Sequence, residues 1–163
     1  MKRSFFVLLL PLVFMSLALS GIDATGQEKE KSKKEASLYD RLGGVYAIAT
    51  VVDDFLNRVI ANDILNANPA IKEARDRVPV AGLKYRVTEL VCQVTGGPCK
   101  YTGLSMKESH KHLNITEKEW DALVVDFKAS LAKFKVPEKE QLELLDIVGS
   151  TKKDIVVSSQ EKQ

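Results

Sequence analysis

From Ser37 to about residue 157, apolar residues recur at intervals of three and four, and no run of them alternates one in and one out. That spacing lines them up on single helix faces and argues against strands, so the expected class is all-α. The clearest stripe is Ile48, Val51, Val52, Phe55, Leu56, Val59 and Ile60, at i, i+3, i+4, i+7, i+8, i+11 and i+12, which covers about four helical turns. A second stripe carries Val80, Leu83, Val87, Leu90, Val91 and Val94, and Gly96-Gly97-Pro98 cuts it off. A third begins at Thr116 and displays Trp120, Leu123, Val124, Phe127, Leu131 and Phe134. A fourth begins at Pro137, a residue suited to a first helical turn, with Leu142, Leu145 and Val148 on one side. Four amphipathic helices are enough to enclose a core.

Two short helices complete the count. Ser37 followed by Asp40 starts a leading helix that Gly43-Gly44 stops. Ser105 and Glu108 form a capping box, so a brief helix starts at Met106 and contains His110; Thr116 and Glu119 repeat the box for the next helix. Residues 66–79 lack a long stripe and read as a loop with one short helical turn.

Outside this domain the composition changes. Lys2 and Arg3 precede an apolar run from Phe5 to Leu19 and then small residues, the layout of a secretory signal over residues 1–24, with an uncleaved amino-terminal anchor as the other reading. Residues 25–36 form a charged, flexible spacer, residues 37–157 the folded domain and residues 158–163 a carboxy-terminal tail. The expected location is therefore outside the cytoplasm, periplasmic or extracellular, with membrane contact only through the leader if it stays attached. A net charge of +2, from 24 basic and 22 acidic residues, supplies no field for gathering nucleic acid. Cys92 and Cys99 are the two cysteines, seven apart. In an oxidising compartment they could close a disulfide, but the spacing leaves open whether their alpha carbons meet. There is no C-x-x-C-H for covalent haem attachment.

Of the two histidines, His110 shares a helix face with Met106 and Leu113, whereas His112 shares one with Glu108 and Thr116. His110 therefore points inward and His112 toward water. Residues two apart diverge by about 200°, so the pair cannot grip one ion together, and no cysteine or carboxylate pair lies close in sequence to complete a zinc set. An inward imidazole facing apolar helices suits a metal that needs one protein donor. Haem iron is such a metal, because the porphyrin supplies four nitrogens.

The stretches SLYDRLGG at 37–44, VTGGPCKYTG at 94–103 and MKESHKHLNIT at 106–116 resemble, in order and interval, the motifs of group I truncated haemoglobins. The resemblance covers residues 37 to about 156. It implies a two-over-two helical sandwich around haem b, with His110 as proximal ligand and metal site. It further implies that Phe55, Leu56, Leu83 and Val87 lie on the distal side, where a diatomic gas binds, and that Leu90, Val91, Met106, Trp120 and Leu123 line the pocket. Arg86 matches a basic residue that pairs with a haem propionate, and Lys100 and Tyr101 lie near the same rim.

The departures bear on mechanism. Family members usually present a distal tyrosine, often with a glutamine, to hydrogen-bond dioxygen; those positions here are Leu56 and Val87. Losing such bonds removes about 1.5–3 kcal/mol of stabilisation. Tyr85 does not replace them, because its helical phase points away from Leu83. The phenylalanine that usually packs on haem from the 66–79 stretch has no counterpart, with Ile71 or Pro69 as stand-ins. The expected function is reversible binding of O₂, NO or CO by a monomer or weak dimer, without dedicated enzymology. NO dioxygenation, known in the family, requires a reductase partner that nothing in the sequence identifies. The competing expectations are a haem-free helical envelope protein acting by protein contact, and a haem-based redox or sensor protein with His112 or another side chain as sixth ligand.

Overall fold

A computed structural model describes residues 35–157. Among them the helices are α1 (Leu38–Arg41), α2 (Gly44–Ala61), α3 (Asp63–Asn66), α4 (Pro69–Arg77), α5 (Val80–Val94), α6 (Met106–His110), α7 (Glu117–Lys133), α8 (Glu138–Ser150) and α9 (Lys152–Ile155). The one strand-like pairing in this region is a parallel bridge between Ile115 and Val156. The leader, most of the spacer and the tail expected from the sequence lie outside the described residues. No described helix is long and apolar enough to cross a membrane.

The expected all-α sandwich is present. α2 packs on α5 to one side and on α7 to the other, and α8 closes over α7 and α1. Ile48, Val52 and Leu56 of α2 centre one apolar cluster with Leu83, Val87 and Val91 of α5. Leu38, Phe127, Leu131 and Leu144 centre the other, where α1, α7 and α8 meet. Phe55 belongs to both clusters and meets Phe127 edge-on, with ring centroids 5.2 Å apart. Gly43 and Gly44 have φ of +87° and +80°, and this left-handed pair separates α1 from α2 as the sequence indicated.

The structure corrects expectations for residues 66–79, for α8 and for the ends of the α5 and α7 stripes. Residues 66–79 are not a loop with a single turn: they hold the end of α3 and the nine-residue α4. The Asn68 side chain accepts the Ala70 and Ile71 N–H groups and Pro69 occupies the first helical turn, so capping starts a helix that has no apolar stripe. In α8 the inward residue is Leu144, 6% exposed, while Leu142 is 61% exposed. The Arg41 guanidinium draws Glu140 inward through a 2.9 Å ion pair, and two residues further on Leu142 is turned about 200° from it. Phe134 caps the end of α7 and is exposed, as are Val80 and Val94 at the ends of α5. The stripes overrun the neighbours they pack on.

Cys92 and Cys99 form a disulfide, with alpha carbons 5.7 Å apart. The chain turns back just after α5 because Gly96 takes φ +88° and Gly97 passes under the Tyr39 ring, where an added Cβ would lie 2.4 Å from the ring. The open question of reach is thereby answered by two adjacent glycines.

Candidate functional site

The short helix α6 is built by its cap. Ser105 Oγ accepts the Glu108 N–H at 3.2 Å, and the Glu108 carboxylate accepts the Ser105 N–H at 3.1 Å and its hydroxyl at 2.7 Å. These bonds from Ser105 hold the Glu108 carboxyl below the usual carboxylate range. His110 closes the helix, half-buried, with Nδ1 2.8 Å from the Met106 carbonyl oxygen. A carbonyl only accepts, so Nδ1 is the donor in this bond, which leaves Nε2 as the nitrogen through which the ring would bind a metal. His112 is exposed. Among the described residues no three histidine, cysteine or acidic side chains converge as a metal cage. The donor available is a single imidazole.

The cluster between α2 and α5 is apolar. Leu56 is buried, Leu83 and Val87 are half-buried, and they share one cluster with Phe55 and Val91. The Tyr39 ring borders this cluster from α1, and its hydroxyl accepts the Val45 N–H at 3.2 Å. Tyr85 faces away as its phase required: it is 60% exposed, and the Arg86 guanidinium lies 5.7 Å from its ring centre. A hydrogen bond to Glu89 raises the Tyr85 hydroxyl above its usual pKa.

Most of the expected pocket residues are half-buried, Leu90, Met106 and Leu123 included. Trp120 is 6% exposed, with Lys152 Nζ 6.0 Å from its ring centre. At the rim, Arg86 bonds Glu89 at 2.8 Å and donates to Thr102 Oγ1, so an incoming carboxylate meets a guanidinium already engaged. The Tyr101 N–H donates to Gln93 Oε1 at 2.7 Å and its hydroxyl to the Leu104 carbonyl at 2.8 Å. Lys100 is exposed.

Two supports of α6 were not anticipated. Asn68 Nδ2 donates to the Leu113 carbonyl at 2.8 Å, tying the start of α4 to the exit from α6. α9 packs on α6, the Val157 N–H donates to the Ile115 carbonyl at 2.9 Å, and Lys152 pairs with Glu117 at 2.6 Å. The Asn68-Pro69 dipeptide was a readable cap signal, whereas the α9 contacts depend on pairings more than 30 residues apart and leave no local trace.

The sequence model of the bacterial-like globin family matches residues 37–157. A group 1 truncated haemoglobin of Synechocystis is 30% identical over 127 residues, spanning 74% of this chain and 98% of that protein. The chain belongs to the group 1 truncated haemoglobins. Another of these, from Tetrahymena pyriformis, is 25% identical over 123 residues, 76% of this chain and 97% of that one. The crystal structure of the T. pyriformis protein in its Fe(III) form superposes with a TM-score of 0.65 over 76% of this chain and the whole of that one, at 24% identity. A truncated haemoglobin carries haem-based gas binding as its general chemistry. In this truncated haemoglobin the chemistry of the residues at hand suits such a group: one imidazole with Nδ1 hydrogen-bonded, and an apolar cluster that includes Leu56, Leu83 and Val87.

Proposed function

We propose that this truncated haemoglobin holds haem b through Nε2 of His110 and reversibly binds a small gas on the side of Leu56, Leu83 and Val87, with CO and NO favoured over firm retention of O₂. The bond from His110 Nδ1 to the Met106 carbonyl carries the reading, because it orients the ring and leaves Nε2 for the iron. Haem, when bound, supplies the iron that takes the gas. The protein's part is to orient one imidazole, exclude water with apolar side chains and offer a charged rim at Arg86 and Lys100. Leu56, Leu83 and Val87 bring no group able to donate or accept a proton, which favours binding over acid–base catalysis. NO dioxygenation would need a separate reductase. The disulfide supports an exported, oxidising location for the domain, with residues 1–24 as its leader.

The test is a visible spectrum of the purified domain with added haemin, wild type against His110→Ala and His110→Gly. We expect a Soret band in wild type, its loss in His110→Ala and its recovery in His110→Gly on adding imidazole. Full haem uptake by His110→Ala, or none by wild type, would refute the assignment.

A further inference from the structure

The site's two walls rest on different supports. α5 packs on α2, and α6 packs on α9. Residues 99–104 join them along the rim, and little holds this segment in place. Lys100, Thr102, Gly103 and Leu104 are exposed, Leu104 at 62%, so no buried apolar side chain anchors the end that enters α6. Its polar ties to α5 are the Tyr101 N–H to Gln93 and Arg86 to Thr102, both in contact with water, where water competes for the same groups and a hydrogen bond contributes little net stability. The remaining tie is covalent: Cys92, fully buried on α5, to the half-buried Cys99. Directly after this segment comes Ser105, the cap of the helix that ends in His110.

We infer that the Cys92–Cys99 disulfide is a redox-sensitive latch on the rim of the site: closed, it holds residues 99–104 against α5 and slows haem escape; reduced, it frees them. The retention role rests on haem lying between α5 and α6 as proposed above. Opening takes two electrons and two protons from an exposed dithiol. Its thiolate attacks Sγ of Cys99, the more exposed of the two, and breaks the bond to Cys92, which leaves as a thiolate and is protonated. The reagent's second thiol then displaces Cys99 as a thiol, and the reagent departs as a disulfide. Ahead of the segment, the Gly97 N–H bond to the Cys92 carbonyl at 2.8 Å survives reduction, which confines the release to residues beyond Pro98.

Hydrogen exchange of the Tyr101 amide and haem transfer to excess apomyoglobin test this, each on the full chain in three forms: oxidised, phosphine-reduced and the Cys92→Ser/Cys99→Ser double variant. Reduction is expected to speed Tyr101 exchange roughly tenfold, with or without haem, and haem loss about fivefold, at unchanged helicity. If the double variant fails to fold, the phosphine-reduced wild type carries the comparison. Unchanged Tyr101 exchange overturns the latch, as does a general loss of helicity on reduction. Faster exchange with unchanged haem loss overturns the retention role alone. A chain that takes up no haem in any form overturns that role together with the function proposed above, while Tyr101 exchange still reports on the latch.

Discussion

The hydroxyl of Ser130, a residue with no solvent exposure, donates to Asp54 Oδ2 across 2.8 Å and so joins α7 to α2. Lys133 also bonds this carboxylate, and Arg58 bonds it at 2.8 Å. Bonds from Lys133, then Arg58 and Ser130, hold the Asp54 carboxyl far below its usual 3.8. A depressed acid stabilises the fold above its unfolded value and loses that contribution as pH falls through the folded one. Asp54→Ala should therefore cost about 2 kcal/mol at pH 7, because it strands the Ser130 hydroxyl. The gap to wild type should narrow as pH falls below 3.8. Urea unfolding of both proteins at neutral pH and in acid checks this, and an equal gap at the two would contradict it.

With gas bound beside Leu56 as proposed, Leu56→Tyr should supply a hydroxyl to it. Leu56 is buried in the α2–α5 cluster beside half-buried Leu83 and Val87. One hydrogen bond to a polar ligand at about 1.5–3 kcal/mol corresponds to roughly ten- to a hundred-fold slower O₂ release. CO release should hardly change, because CO accepts hydrogen bonds weakly. Stopped-flow displacement of each gas reads the two rates; slowing of both alike would point to steric closure instead.

Gly97 and Gly82 should respond oppositely to alanine. At Gly97 an added Cβ meets the Tyr39 ring at 2.4 Å and the Cys92 carbonyl oxygen at 2.7 Å, whereas at Gly82 in α5 nothing lies within 4 Å. Gly97→Ala should cost about 1–3 kcal/mol through overpacking. Gly82→Ala should gain about 0.5–1 kcal/mol of helix stability. Melting temperatures of the two variants decide it: Gly97→Ala below wild type and Gly82→Ala above it.

Local signals made the central features readable. Ser105 and Glu108 announced α6, and helical phase turned Tyr85 away from the apolar cluster; His110 is half-buried, while His112 is exposed in the turn that follows α6. The same phase reasoning failed for Leu142, because the rotation of α8 is set by the Arg41–Glu140 pair across 99 residues of chain. α4 was invisible to a search for apolar periodicity because its start depends on the Asn68 cap. Whether the cysteines meet depends on backbone angles at Gly96 that spacing does not encode. The bracing of α6 by α9 involves the Ile115–Val156 bridge and the Lys152–Glu117 pair, both between remote residues, and no periodicity reports it.

That bracing has a consequence for how the domain comes into being. Synthesis proceeds from the amino terminus, so α2 and α5 exist as chain well before Val156 and Val157 do. The wall carrying Leu56 and Val87 can condense early, while the histidine's own helix waits for the final turn to arrive beneath it. Ribosome-stalled chains ending short of residue 152 should consequently hold the greasy half of the pocket and still lack a settled imidazole.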